Sequence, residues 1–168
     1  MEEIKNRVAE SKLKVFDLED YFPKEEVIEL DISAWLLEGQ LLRESDFRTA
    51  LKEHNWQSHQ SQHLALYCST DAILPAWAFA LVTAHAVAYC KSVYQGTKQE
   101  ALTALYQQTL SQLDFSNYKA APVILKGCAH KPVPNQVYTL AIQYLIPLAK
   151  SIMFGEACSA VPLFKAKK

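Results

Sequence analysis

Cys68, Cys128 and Cys158 are the side chains best suited to chemistry in this chain, with Asp71 just after the first and His130 just after the second. Thiolates combined with an imidazole or a carboxylate make the donor set that zinc prefers, and iron or an iron–sulfur cluster is the second choice. No CxxC pair occurs, so these ligands can meet only through the fold. The bland alternative is a set of thiols that fill space. Cys128 and His130 also read as a nucleophile and its base on one turn, with no third orienting group to name. Cys68 and Cys128 as a redox disulfide is a further reading, and it depends on a separation that spacing does not supply.

Other candidates are weaker. His54, His59 and His63, interspersed with Gln57, Gln60 and Gln62, resemble a metal tract but read as a solvated polar loop. His85 stands in an apolar helix and reads as a hydrogen-bonded core histidine, and Cys90 as a space-filler. Lys91-Ser92 and Lys150-Ser151 could hold an anion, but strand-edge lysines also serve against aggregation. No GxGxxG, P-loop or HExxH sequence occurs, and four glycines leave little material for phosphate-cradling loops.

A chain of 168 residues, half of them hydrophobic and 21% charged, fits one domain with a sizeable core and excludes disorder. The net charge of −1 leaves no broad footprint for nucleic acid. The charged opening Met-Glu-Glu-Ile-Lys-Asn-Arg lacks the apolar core of a signal peptide, and four cysteines are too few for a disulfide scaffold, so a cytoplasmic protein with reduced thiols is expected. Ala72 to Cys90 carries no charge, but Pro75, Thr83 and His85 make it a buried helix rather than a membrane span.

Residues 1–12 read as a short amphipathic helix. Strands are expected at Lys14–Leu18 and Val27–Ile32, paired with each other at a sheet edge, and a short helix follows Ser33. Ser45 reads as the next N-cap. Strands then follow at His63–Cys68, Lys91–Gln95, Pro122–Lys126 and Lys150–Phe154, with helices opening near Pro75, Thr97 and Pro134. The last segment, Ser159–Lys165, reads as an edge strand, because Pro162 has no N–H to give a central ladder. Strands joined by helices imply an α/β fold with a mixed, mostly parallel sheet flanked by helices. An offset of 59 aligns Pro75 with Pro134, Lys91 with Lys150 and Gly96 with Gly155. This suggests an internal α-β-α-β duplication, repeats 42–96 and 101–155, in which one added turn residue would bring Cys68 opposite Cys128.

Four stretches, FDLEDYFP, YCSTDAILPAWAF, LKGCAHKPVP and KSIMFGEACSAVPLFK, resemble an uncharacterised bacterial family of unknown function, DUF2480. The resemblance covers nearly the whole chain. It implies that Cys68, Asp71, Cys128 and Cys158 match positions of the family's pattern, whereas His130 does not, and it supplies no reaction. The expectation is therefore metal binding by strand-end cysteines. The alternatives are an interaction module, homodimeric and held by its three tryptophans and eight tyrosines, and a thiol-dependent enzyme.

Overall fold

The computed structural model describes residues 13–127, 129–156 and 159–167. The N-terminal helix expected over residues 1–12 lies outside them. The chain forms two compact units: Pro23–Ala104 is inserted, in sequence, into a split unit made of Met1–Phe22 and Leu105–Lys168.

The inserted unit carries three parallel strands, β2 (Val27–Asp31), β3 (His63–Tyr67) and β4 (Ser92–Gln95), in the order β2-β3-β4. Helices α1 (Glu44–Glu53) and α2 (Ala76–Ala86) complete it. The central strand β3 is flanked on both sides, so His63, Leu64, Ala65 and Leu66 are all buried. Along α2 the residues Ala78, Val82 and Ala86 recur at helical spacing and are fully buried with Leu64 and Leu66, their small size letting helix and sheet approach closely. The uncharged stretch Ala72–Cys90 thus forms a helix that buries one face only, with Ala76, Trp77, Ala80 and Ala84 exposed, rather than the buried helix expected. Among the described residues no helix is long and apolar enough to cross a membrane.

The split unit orders its strands β1 (Lys14–Asp17), β5 (Pro122–Lys126), β6 (Ser151–Phe154) and β7 (Val161–Lys165) as β1-β5-β6-β7. The first three are parallel. β7 is antiparallel to β6 and forms the edge, with a register shift near Pro162, as a residue without an N–H requires. Helix α4 (Asn135–Leu145) buries Val137, Ala141 and Leu145. Helix α3 (Lys98–Ser111) crosses the division between the units and begins with a reciprocal cap. The Thr97 amide donates to Glu100 Oε2 at 2.7 Å, and the Glu100 amide donates to Thr97 Oγ1 at 3.4 Å.

The α/β fold class holds, with two mostly parallel sheets where one was expected. β1 and β2 do not pair with each other, and each instead joins a later strand of its own unit, β5 and β3. The segment after Ser33 is a single 3-10 turn, Ile32–Trp35, and α1 starts at Glu44, one residue before the expected cap. His63 is the first residue of the central strand rather than part of a solvated loop. Its Nδ1 lies 2.7 Å from Ser92 Oγ and its Nε2 3.7 Å from Glu25, which also takes Lys91 at 2.6 Å.

Corresponding elements of the two units lie 59 residues apart: strands begin at 63 and 122 and at 92 and 151, and helices at 76 and 135. Left-handed Ser61 and Ala120 fit the same offset, as do the bonds Gly96 N–H to Leu66 O and Gly155 N–H to Leu125 O. The offset is the same on both sides of the turns after β3 and β5, so no residue is added there. Cys68 therefore corresponds to Gly127 and not to Cys128.

Asp31 ends β2 with its carboxylate taken up by the Ser33 amide at 3.0 Å, the Ser69 amide at 3.1 Å and the Ser69 hydroxyl at 2.6 Å. Burial works to raise its pKa, but these hydrogen bonds outweigh it and hold the carboxyl down to about 2. A carboxyl lowered from about 3.9 by folding stabilises the fold fully above that value, and the contribution is lost as pH falls towards 2. Asp31→Asn is expected to lower the urea midpoint at pH 7, with the gap to wild type narrowing as pH approaches 2. A gap independent of pH would show that the charge of Asp31 contributes nothing.

Candidate binding site at the strand ends

β1, β5 and β6 run parallel, so their carboxyl ends share one edge, the place where open α/β sheets hold ligands. A cavity of about 230 Å³ opens there, lined by Asp17 at the end of β1 and Glu19 beyond it, by Lys126 at the end of β5 with Gly127 and Ala129 beyond it, and by Phe154 at the end of β6 with Gly155 and Glu156 beyond it. The register sets Asp17 beside Lys126. The Lys126 ammonium lies 3.3 Å from Asp17 Oδ2 and 3.7 Å from Glu156 Oε1, and its bond to Asp17 raises its pKa above the ordinary lysine value.

Glu19 holds the loop after β5. One carboxylate oxygen accepts the Ala129 amide at 2.5 Å and the His130 amide at 2.7 Å, and the Glu19 carbonyl takes Lys131 Nζ at 2.9 Å. The His130 amide bond is the main cause of its lowered pKa. Asp17 in turn accepts the Glu19 amide at 3.0 Å, which closes the 3-10 turn Leu18–Tyr21. Gly127 has φ +152°, and a Cβ there would meet Leu18 Cβ at 2.6 Å, so the loop leaves β5 along a path only glycine can take.

Asp17 and Glu156 already share one cation, Lys126. A metal ion in this cavity would therefore draw first on neighbouring softer donors. Two of the expected ligands are close in sequence: position 128 lies between the lining residues Gly127 and Ala129, and position 158 follows Glu156 by two. Cys128 and Cys158 lie outside the described residues.

The remaining expected ligands are placed as follows. His130 is exposed and meets Glu19 through its backbone. Cys68 and Asp71 belong to the inserted unit. The Cys68 thiol is half-buried against the apolar cluster around Ile32, Phe47 and Leu64, with Sγ 3.3 Å from Thr70 Oγ1. Asp71 is exposed and lines a shallow groove of about 620 Å³ with Leu41, Ile73 and Trp77 among its walls. Cys90 donates to the Ala86 carbonyl at 3.1 Å, and burial pushes its thiol up. Among the described residues no three of His, Cys, Asp and Glu converge as metal ligands.

Asp17, Glu19, Lys126 and Glu156 were not singled out by residue type, because a charged residue just after a strand is common. Their signal was collective. All eight lining residues fall within three of the four stretches that carry the family resemblance: FDLEDYFP, LKGCAHKPVP and KSIMFGEACSAVPLFK.

A family model described as a protein of unknown function, DUF2480, matches residues 2–166. No curated protein and no solved structure matches the chain.

Proposed function

We propose, for a chain that belongs to the DUF2480 family, that it binds a metal ion at the carboxyl ends of β1, β5 and β6, zinc first and iron or an iron–sulfur cluster second. Cys128 and Cys158 act as thiolate ligands and His130 as a third, which leaves one position open for water or a substrate. The observation that carries this reading is the convergence of three sequence-distant stretches on one charged cavity, two of them containing a cysteine. Reduced thiols, and hence a cytoplasmic setting, are part of the reading. The ligands of this reading are drawn from the split unit, while Cys68 and Asp71 stand in the inserted unit.

The reading includes an internal duplication. Its support is the shared offset of strands, helices, left-handed turns and buried positions, such as Phe47 with Tyr106 and Leu51 with Leu110. Tyr67 stands where Lys126 stands in the other unit, and Asp31 takes hold of the loop after β3 directly through Ser69. The lysine and the loop-holding glutamate of the split unit's cavity therefore have no match at these positions of the inserted unit.

Elemental analysis of protein purified without chelators is the test. Stoichiometric zinc or iron is expected, lost in Cys128→Ser and Cys158→Ser and kept in Cys68→Ser and Cys90→Ser. Metal lost in Cys68→Ser as well would restore a three-cysteine site. No metal after loading with zinc or iron overturns the reading, and rapid alkylation of Cys128 would then favour a thiol enzyme.

A second reading, an interaction module that pairs with its own copy, rests on the groove of the inserted unit. Ile73 is 97% exposed and Leu41 61%, beside Trp77. Sedimentation of the wild type against Ile73→Asp separates a dimer held by this face from a monomer.

A further inference from the structure

We propose that His54 and His59 form a two-imidazole site for a divalent transition metal of tetragonal preference, copper(II) first, separate from the thiolate site. Their Nε2 atoms face each other at 2.8 Å, with the rings stacked at 5.1 Å.

Both rings are set by regular structure. His54 is the C-cap of α1, and His59 ends the 3-10 turn Trp56–His59. Trp35 and Trp56 pack edge-on against the His54 ring at 5.2 and 4.6 Å, and Trp56 is itself anchored by its Nε1–H to the Leu51 carbonyl at 2.8 Å. Such support holds donors in place before a ligand arrives. With metal–nitrogen bonds of about 2.0–2.1 Å, two nitrogens 2.8 Å apart subtend about 86° at the metal. That is the angle between adjacent corners of a square, whereas a tetrahedral ion asks for about 109°. Copper(II) takes square-planar nitrogen ligands and stands highest in affinity among the first-row divalent ions. Both side chains are half-buried, so the remaining corners stay open to water. Burial lowers the pKa of each imidazole. The charge of His59 adds to the effect on His54, and a hydrogen bond that His59 donates to Gln62 opposes it at His59. Burial thus favours the neutral form of both rings, and the ring whose Nε2 carries the shared hydrogen moves it to Nδ1 to free that lone pair for a metal.

An imidazole–imidazole hydrogen bond kept only for packing is the competing account. The other unit argues against it. At the corresponding positions it has Leu113 and Tyr118, and Phe115 in place of Trp56, and Phe115 and Tyr118 still pack at 6.2 Å. This corner of the fold is filled there without any nitrogen donor.

The test is a titration of the full chain with copper(II) chloride, followed by tryptophan fluorescence and electron paramagnetic resonance. A background carrying Cys128→Ser and Cys158→Ser makes the outcome independent of the thiolate reading. Saturable one-to-one quenching is expected, from Trp35 and Trp56 beside the site, together with coupling to two nitrogens. His54→Leu and His59→Tyr, the residues that the other unit carries, should each weaken binding about tenfold or more while circular dichroism stays unchanged. Quenching that is equal in folded variants and parent, or no saturable binding by the parent, overturns the proposal.

Discussion

Gly127→Ala is expected to destabilise the protein by about 2–6 kcal/mol. Two costs add. An L-residue held at φ +152° carries strain of about 1–3 kcal/mol, and a methyl group 2.6 Å from Leu18 Cβ overpacks the site for about 1–3 kcal/mol more. Leu18 is wholly buried, so it has little room to give way. Gly39 provides the comparison. Its φ of +72° is also left-handed, but the nearest atom to an added Cβ is Thr70 Cγ2 at 3.6 Å, so Gly39→Ala should pay the conformational cost alone. Urea unfolding of both variants at unchanged m-value checks this. Equal losses would show that the crowding against Leu18 contributes nothing. The loop from Lys126 to Ala129 must shift to accept the methyl, so metal retention should fall in Gly127→Ala and persist in Gly39→Ala.

Tyr106→Ala is expected to cost about 3–5 kcal/mol, the usual loss for a buried aromatic ring, and Tyr106→Phe about 1–3 kcal/mol. Tyr106 is wholly buried, its ring packs edge-on with Phe22, and its hydroxyl donates to the Leu18 carbonyl at 2.8 Å. Burial holds the phenol far above its ordinary pKa, so the group remains a donor across the working range. Phenylalanine keeps the ring and leaves the Leu18 carbonyl without its donor. The comparison with Phe47, its counterpart in the inserted unit, isolates the hydroxyl: Phe47→Ala should cost as much as Tyr106→Ala less the hydrogen bond. A Tyr106→Phe variant as stable as wild type would show that this bond makes no net contribution. Both predictions converge on Leu18, which lies between Asp17 and Glu19. Leu18, between the lining residues Asp17 and Glu19, is thus held by both Gly127 and Tyr106.

The elements themselves were legible from short windows of sequence. The apolar run His63–Cys68, the helix opening at Thr97, the prolines ahead of α2 and α4 and the edge strand around Pro162 all follow from local chemistry, because periodicity, caps and a missing N–H act within a few residues. The offset of 59 was equally visible as a pattern of residue types. What lay beyond the sequence was partnership. That β1 joins β5 across a long insertion, while β2 joins β3, is decided by which apolar faces bury each other, and no local window contains both faces. The same limit hid the site. Asp17, Lys126 and Glu156 are ordinary charged residues until the parallel register sets them around one cavity. His54 and His59 read as a polar loop until α1 and the following turn brought their ring nitrogens together between two tryptophans. Local propensity determined what each segment is, and long-range burial decided which side chains meet.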